Sequence, residues 1–185
     1  SRELLGRHTS TDLGPDTFPF ATSRLVDLGP ARVRATRMTY VGELGWELTV
    51  PTELATGVWD RLVGSGRDLG LRLAGYYAIN ALRLDKGYRA FGPELGPDRS
   101  PVEAGLTFTC DLSGDRVFVG REAVERQRAD GPARRLASFV VDDPRAVLWG
   151  GELLLREGRA VGQVTSAATS ATLGAAVGLA WVWEP

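Results

Sequence analysis

The carboxylate of Glu47 has the sequence context best suited to binding chemistry in this chain. Apolar and polar side chains alternate over residues 46–50, in the order Trp46, Glu47, Leu48, Thr49 and Val50. This period of two predicts a strand whose apolar side chains face the core and whose polar side chains face the other way. Two interpretations of Glu47 stay open: a carboxylate in water, or one in a cavity that accepts paired hydrogen bonds from a flat heterocycle.

Aromatic and basic side chains elsewhere in the chain could complete such a binding site. The four tyrosines could stack on a ring or donate a hydroxyl, with half-buried packing as the alternative for each of them: Tyr40, Tyr76, Tyr77 and Tyr88. Basic residues near the end of the second predicted helix could meet the acidic groups of a ligand or form a solvated helix end: Arg83, Lys86 and Arg89. Glu103 follows Pro101 and is predicted to cap or brace the next segment.

Other catalytic and metal-binding chemistries have little support in the composition. The 185 residues include one cysteine, Cys110, and one histidine, His8, so an intrachain disulfide and a four-cysteine zinc site are excluded. A Cys110–His8 pair is formally possible but disfavoured as a nucleophile and its base. The chain has no Gly-Lys-Ser/Thr sequence, and Gly42-x-x-Gly45 lacks the third glycine of a dinucleotide fingerprint. We therefore predict no metal site.

The charge balance excludes partners that bind mainly through electrostatics. Lysine plus arginine is 22 and aspartate plus glutamate is 23, so the net charge of −1 predicts no nucleic-acid or membrane-surface binding. No apolar run approaches the roughly 20 residues that a membrane-spanning helix needs, and no signal peptide opens the chain. With 43% hydrophobic residues, the composition is typical of a globular protein, and we expect a reducing, cytoplasmic location.

The elements that must position these residues combine helices and strands in the first part of the chain. A β-hairpin is predicted over residues 32–50, with strands at 32–40 and 46–50. Helices are predicted over 51–63 and 74–85, and the second of them ends at Gly87. Residues 106–112 alternate like a strand, and residues 120–126 are typical of a short surface helix.

From about residue 134 the pattern changes to short strands divided by turns. Strands are predicted at residues 136–141, 152–156, 160–165 and 176–183. Glu157-Gly158 is a hairpin turn between the second and third of these strands. A run of short strands without helices indicates a small antiparallel barrel or sandwich, so we place a domain boundary near residue 130.

Four blocks of sequence, in order, resemble one protein family, the folate-binding aminomethyltransferases. This family comprises the glycine-cleavage T-protein and the folate domains of sarcosine and dimethylglycine dehydrogenases. The matching blocks are Tyr40–Leu48, Leu82–Arg89, Ser100–Leu106 and Gly162–Ser166. Within the family, Gly-Glu-Leu-Gly-Trp-Glu-Leu at 42–48 and Lys-Gly-Tyr-Arg at 86–89 are more similar to the dehydrogenase branch.

The resemblance implies a fold, a cofactor and a set of binding residues. The expected class is α+β: residues 1–130 form the C-terminal part of a T-protein-like folate-binding domain, and residues 131–185 form a small antiparallel β-barrel. The cofactor is tetrahydrofolate, with its pterin ring held by Glu47 and with Tyr40 and Tyr88 as further binding residues. FAD would belong to a flavin domain upstream of this chain, if that domain exists.

The chain also departs from the family pattern, and the departures limit the expected activity. The family aspartate that accepts a proton lies upstream of the segment that Ser1–Leu5 resembles, so no catalytic residue is assigned here. Ile79 stands where the T-protein has a ligand-binding arginine. We expect part of a tetrahydrofolate-dependent one-carbon transfer enzyme, inactive alone, with folate and an amine-derived donor as small-molecule partners. The alternative is a non-catalytic regulatory or assembly module that keeps the fold.

Overall fold

Two antiparallel sheets, one in each half of the chain, organise the fold. The computed structural model describes residues 1–183, and the chain divides into two units, Ser1–Gly75 and Tyr76–Pro185. Each unit combines helices with one antiparallel sheet. The predicted α+β class is therefore confirmed.

The first unit contains a three-stranded sheet in the order β1-β2-β3, with both neighbouring pairs antiparallel. Its helices and strands are α1 (Arg2–Gly6), β1 (Ser23–Leu28), β2 (Ala31–Thr36), β3 (Glu47–Thr49) and α2 (Thr52–Ser65). The predicted helix over 51–63 is confirmed. The predicted hairpin over 32–50 is correct in its pairing, with Thr36 opposite Glu47, but its first strand ends at Thr36 rather than at Tyr40.

Strand β1 was not predicted, although it supplies one edge of this sheet. It pairs with β2 through a turn at Gly29, whose φ of 61° favours glycine. The β1 sequence Ser-Arg-Leu-Val-Asp-Leu buries only Val26 and Leu28, so its alternation is too short to stand out. Pairing with β2, rather than the pattern of β1 itself, stabilises this strand.

The core of the first unit lies on one face of the sheet. Val33 and Ala35 of β2 are buried, whereas Arg34 between them is exposed, as expected for a strand with one solvated face. Phe18 is 0% exposed and packs edge-on against Trp46, with ring centroids 6.1 Å apart. The apolar side chains of residues 46–50 therefore join the core through this contact.

His8 links the chain after α1 to the C-terminal end of α2. Its Nε2 lies 2.5 Å from Ser65 Oγ. The neighbouring Arg7 guanidinium donates to the Ser65 carbonyl oxygen at 2.8 Å and to the Asp68 carboxylate at 2.7 Å. Partial burial lowers the pKa of His8, and the positive charges of Arg61 and Arg7 lower it further.

This lowered pKa gives the unit Ser1–Gly75 an expected loss of stability in mild acid. Above pH ~6.5, the unfolded value for histidine, the His8 contribution is fully present. This contribution is lost as the pH falls through the pKa of His8 in the folded protein, which is the lower of the two values, because the unfolded chain binds the proton more readily. NMR shifts of the single imidazole should give that pKa, and His8→Gln should flatten the stability curve below about pH 6.5. An equally steep curve in His8→Gln would contradict the assignment.

The second unit is built around a four-stranded antiparallel sheet in the order β4-β7-β6-β5. Its elements are α3 (Tyr76–Asp85), a 3₁₀ turn at Thr107–Thr109, α4 (Arg121–Asp130), β4 (Arg135–Val140), β5 (Leu153–Arg156), β6 (Arg159–Ser170) and β7 (Ala175–Val182). Helix α3 packs on β6 and β7. The buried side chains Leu84, Val177 and Leu179 form the core between the helix and the sheet.

The strands predicted after residue 134 and the helix near residue 120 are confirmed. Strand β6 continues five residues beyond the predicted end at 165, to Ser170, because it pairs with β7 over its whole second half. Glu157 and Gly158 have φ angles of 53° and 79°. Positive φ at both central residues is typical of the two-residue hairpin turn that their sequence predicts.

The predicted strand at residues 106–112 is wrong. Thr107–Thr109 forms a 3₁₀ turn, in which the Thr109 hydroxyl donates to the Leu106 carbonyl oxygen at 2.7 Å. Phe108, which the alternation would place in a sheet, is 83% exposed. Threonine side chains bond to nearby backbone groups in this way when no partner strand is available. The division into domains at residue 130 remains a prediction.

Candidate functional site

Glu47 lies at the start of β3 with its side chain on the solvated face of the first sheet. Glu47 and Thr49 are exposed, whereas the apolar residues around them, Trp46, Leu48 and Val50, pack against the core. The orientation predicted from the alternation is therefore correct. Within residues 1–183 the Glu47 carboxylate forms no hydrogen bond or ion pair, so both of its oxygens are available as acceptors.

The hollow beside this strand lies on the core side, away from Glu47. It has a volume of about 170 Å³ and is lined by Ser1, Leu4, Leu5, Trp46, Leu48 and Leu62. The described part of the chain thus exposes the Glu47 carboxylate and does not enclose it. Of the two interpretations made from sequence, the exposed carboxylate is the one seen here, and the binding role of Glu47 stays a prediction.

Polar side chains surround Glu47 on the same sheet face. Thr36 is its direct cross-strand partner, and the Thr36 hydroxyl lies 3.1 Å from that of Ser23 on β1. Arg34, two residues before Thr36, lies on the same face, with Nη1 3.5 Å from Ser23 Oγ. This face offers a carboxylate with two acceptor atoms beside a hydroxyl and a guanidinium, an arrangement suited to a planar ligand that presents two N–H donors.

The tyrosines predicted to contribute to the site belong to different units. Tyr40 is exposed in the connection between β2 and β3 of the first unit. Tyr88 is partly buried in the second unit, directly after α3. Tyr76 and Tyr77 are both exposed at the first turn of that helix.

The end of α3 fixes the backbone of Tyr88. Gly87 has a φ of 64°, and its N–H donates to the Leu84 carbonyl oxygen at 2.9 Å. The N–H of Tyr88 donates to the Arg83 carbonyl oxygen, also at 2.9 Å. This pair of hydrogen bonds defines a Schellman motif, which requires a left-handed residue at the position of Gly87. The prediction that Gly87 ends the helix is confirmed.

Arg83 does not face a ligand, and both interpretations made for it from the sequence are wrong. Its side chain is 2% exposed and donates from Nη1 to Glu94 Oε2 at 3.0 Å. The same Nη1 donates to the Tyr88 carbonyl oxygen at 2.8 Å, and Nε and Nη2 donate to Asn80 Oδ1. A guanidinium taken out of water needs such partners, and the helix presents it to the interior instead of to solvent.

Glu94 is fully buried and fully hydrogen-bonded. Its Oε2 accepts from Arg83 and from the Ala90 N–H at 2.8 Å, while Oε1 lies 2.6 Å from the hydroxyls of both Thr165 and Ser166. Four donor groups thus surround the carboxylate, and one of them, the Thr165 hydroxyl, also lies 3.0 Å from the Leu179 carbonyl oxygen. Local sequence patterns gave no signal for this residue, because they do not show that Arg83 is buried and needs an acid.

A β-bulge in β6 brings these two hydroxyls to one carboxylate. Consecutive strand residues normally point to opposite faces. Here Val164 pairs with Ala180 and Ser166 with Leu179, so Thr165 is an extra residue without its own partner on β7. In a bulge two residues oppose one, which lets Thr165 and Ser166 point the same way.

Glu103 braces the segment between α3 and β4, as predicted. The Ser100 N–H donates to Glu103 Oε2 at 2.9 Å, and the Glu103 N–H donates to Ser100 Oγ at 3.0 Å, a reciprocal capping arrangement. Arg134 Nε donates to Glu103 Oε1 at 3.0 Å. Burial opposes ionisation of Glu103, but the hydrogen bonds from Ser100 and Arg134 outweigh it and lower its pKa.

Of the other two basic residues near the end of α3, one donates to main-chain oxygens and the other is exposed. Arg89 donates to the carbonyl oxygens of Ala104 and Gly87, at 3.0 and 2.7 Å, while Lys86 is exposed. Over residues 1–183 no group of three or more histidine, cysteine, aspartate or glutamate side chains is placed to hold a metal ion. No helix in that range is long and apolar enough to cross a membrane.

Comparisons with family models match nearly the whole chain. Residues 1–114 match the GCVT N-terminal domain, and residues 134–184 match the glycine cleavage T-protein C-terminal barrel domain. The first three sequence blocks that resemble the family lie in the first matched region, and the fourth lies in the second. The second match covers the strands β4 to β7.

Curated relatives and a solved structure resemble the chain over almost its full length. Sarcosine dehydrogenase from Homo sapiens is 40% identical over 185 residues, which are 100% of this chain and 20% of that protein. A pyruvate dehydrogenase phosphatase regulatory subunit from Mus musculus is 34% identical over 97% of this chain and 21% of its own length. The chain therefore spans about a fifth of these relatives.

The solved structure is that of glycine cleavage system aminomethyltransferase T from Bartonella henselae. The superposition has a TM-score of 0.82, with 24% sequence identity, and covers 98% of this chain and 48% of that one. At this identity the comparison shows a common fold.

Proposed function

Because the chain belongs to the family of the glycine cleavage T-protein, matched by its GCVT N-terminal and C-terminal barrel domains, we propose that it forms part of a tetrahydrofolate-dependent one-carbon transfer enzyme. The observation that carries the proposal is the family match across both regions. It is supported by a strand-borne carboxylate, Glu47, whose oxygens form no hydrogen bond or ion pair within residues 1–183 and which stands at the position that the family resemblance assigns to pterin binding.

In this proposal Glu47 binds and orients the cofactor. Its two oxygens match the two parallel N–H donors at the edge of a pterin ring, and so fix the rotation of that ring on the sheet face. Tyr40 and Tyr88 stay proposed as further folate-binding residues. When bound, tetrahydrofolate supplies the nitrogen that captures the one-carbon unit, so the task of the protein is to hold that ring in place.

The role of Glu47 is tested by titrating the 185-residue chain with 5-formyltetrahydrofolate and following backbone amide shifts. We expect saturable binding that Glu47→Ala weakens by at least about tenfold, since a hydrogen bond to a charged group contributes ~1.5–3 kcal/mol. Glu43→Ala is the matched control, because Glu43 is also exposed and lies in the connection that leads to β3. Equal affinities for wild type and Glu47→Ala would remove Glu47 from the site.

The proposal extends to the longer protein of which this chain resembles a part. Similarity to sarcosine dehydrogenase supports an upstream flavin domain that oxidises an amine and passes its one-carbon unit to the folate site. The chain alone would then bind folate weakly and turn over no donor. The family matches, which end at residue 114 and begin again at 134, support the domain division near residue 130. The proposal retains a cytoplasmic location.

A non-catalytic regulatory module is a second candidate, favoured by one comparison. The murine relative that is 34% identical over nearly the whole chain carries the name of a phosphatase regulatory subunit. Ile79, in place of the ligand-binding arginine that the T-protein resemblance would supply, also fits this candidate. Absence of saturable folate binding by the wild-type chain would favour it over the enzyme.

A further inference from the structure

Both backbone hydrogen-bonding groups of Tyr88, its N–H and its carbonyl oxygen, bond to Arg83. Its N–H donates to the main-chain oxygen of Arg83 at 2.9 Å, and its carbonyl oxygen accepts from the Arg83 guanidinium at 2.8 Å. The position of Tyr88 therefore depends on the position of the Arg83 side chain as well as on the end of α3.

The Arg83 side chain is in turn fixed by a carboxylate that the C-terminal sheet holds. Glu94 accepts from Arg83 on one oxygen and from the hydroxyls of Thr165 and Ser166 on the other. The contacts run from the bulge in β6, through Glu94 and Arg83, to the backbone of Tyr88. Arg83, Glu94 and Ser166 are all buried, so water does not compete for these bonds.

Any buried ion pair needs satisfied hydrogen-bond partners, and in this pair those partners also fix the direction of both side chains. Buried ion pairs contribute little net stability compared with well-packed apolar residues of similar volume. What four donors around one carboxylate provide is a defined direction, because neither the acid nor the guanidinium can rotate without leaving a buried group unpaired. The bulge is the local feature that supplies two of those donors from one strand.

We infer that Glu94 and Arg83 are positioning residues for Tyr88, and that the bulge at Thr165 and Ser166 in β6 sets their geometry. The C-terminal barrel region thereby sets the position of Tyr88, a proposed folate contact, through two of its own residues, Thr165 and Ser166. This inference rests on the proposed function only in taking Tyr88 as a folate contact; the link from β6 to Tyr88 is independent of it.

The test uses two buried serines of β6. Ser166→Ala removes one donor to Glu94 and leaves its charge in place. Ser170→Ala is the matched control, since Ser170 is also buried on β6 but its hydroxyl accepts from the Leu173 N–H and has no bond to Glu94. The readout is amide hydrogen exchange at Tyr88 and Ala90, measured relative to Ala180 in β7.

In Ser166→Ala we expect exchange at Tyr88 and Ala90 to accelerate by at least about fivefold, the scale of one lost hydrogen bond, with Ala180 unchanged. Ser170→Ala should leave Tyr88 as in wild type. Unchanged protection of Tyr88 in Ser166→Ala would overturn the inference. Equal acceleration at Tyr88 and Ala180 would also overturn it, because it would show a general loss of stability.

A second readout connects the link to ligand binding. Affinity for 5-formyltetrahydrofolate should fall at least about fivefold in Ser166→Ala and stay at the wild-type value in Ser170→Ala. Equal affinities for wild type and Ser166→Ala would overturn control of the site by β6. If the wild-type chain does not bind folate, the proposed function fails, whereas the exchange rates still decide whether β6 positions Tyr88.

Discussion

Replacing Glu94 by Ala is expected to destabilise the unit Tyr76–Pro185 by about 3–5 kcal/mol. The substitution leaves the Arg83 guanidinium buried without its counter-charge and the Ala90 N–H without an acceptor. Urea unfolding of the 185-residue chain, followed by amide signals from β7, would measure the loss. Glu125→Ala is the matched control: Glu125 pairs with Arg121 at 2.8 Å on the exposed side of α4, and its removal should change stability by less than about 1 kcal/mol.

A double replacement distinguishes the effect of the two charges on stability from the effect of the side-chain volume. Glu94→Leu combined with Arg83→Met removes both charges, and we expect it to destabilise less than the sum of the two single changes. The double variant still leaves the Tyr88 carbonyl oxygen without the guanidinium donor, so it should not reach wild-type stability. Strict additivity of the two single effects would contradict a direct coupling between these side chains.

Replacing Phe18 by Ala is expected to cost the unit Ser1–Gly75 about 3–5 kcal/mol, the usual range for a fully buried phenylalanine. The ring is 0% exposed and packs against Trp46, and the guanidinium of Arg24 lies 5.3 Å above it. The cavity would remove contacts from both neighbours. Loss of stability should appear in urea unfolding followed by amide signals from β2.

Phe20 provides an internal control for this prediction. It lies two residues along the same loop but is 63% exposed, so Phe20→Ala should change stability by no more than about 0.5 kcal/mol. A large loss in Phe20→Ala, or a small one in Phe18→Ala, would show that burial in the first unit has been assigned incorrectly.

Local patterns predicted the parts of the fold that depend on local interactions. The alternation over residues 46–50 gave the correct face for Glu47, because one side of a strand must bury its apolar residues. Glu157-Gly158 predicted its hairpin, because two adjacent residues with positive φ are typical of a two-residue β-hairpin turn. Gly87 marked the end of α3 for the same kind of reason.

Features that depend on distant partners could not be predicted in this way. Residues 106–112 alternate as well as a true strand does, but no strand in the described part of the chain, residues 1–183, pairs with them. Arg83 lies near the end of a helix with other basic residues, a position typical of a solvated cation, and only the distant Glu94 shows that it is buried. The joint contribution of Thr165 and Ser166 depends on a bulge, which neither residue type specifies by itself.

The extra residue in β6 also bears on how this region tolerates changes in length. Deletion at most points of a paired strand shifts every later side chain to the opposite face. Thr165 is paired with no residue of β7 in the strand register, whereas Val164 and Ser166 pair with successive residues of β7. Loss of Thr165 would therefore close the β6–β7 ladder without inverting the rest of the strand. Its consequence would be one fewer hydroxyl for Glu94.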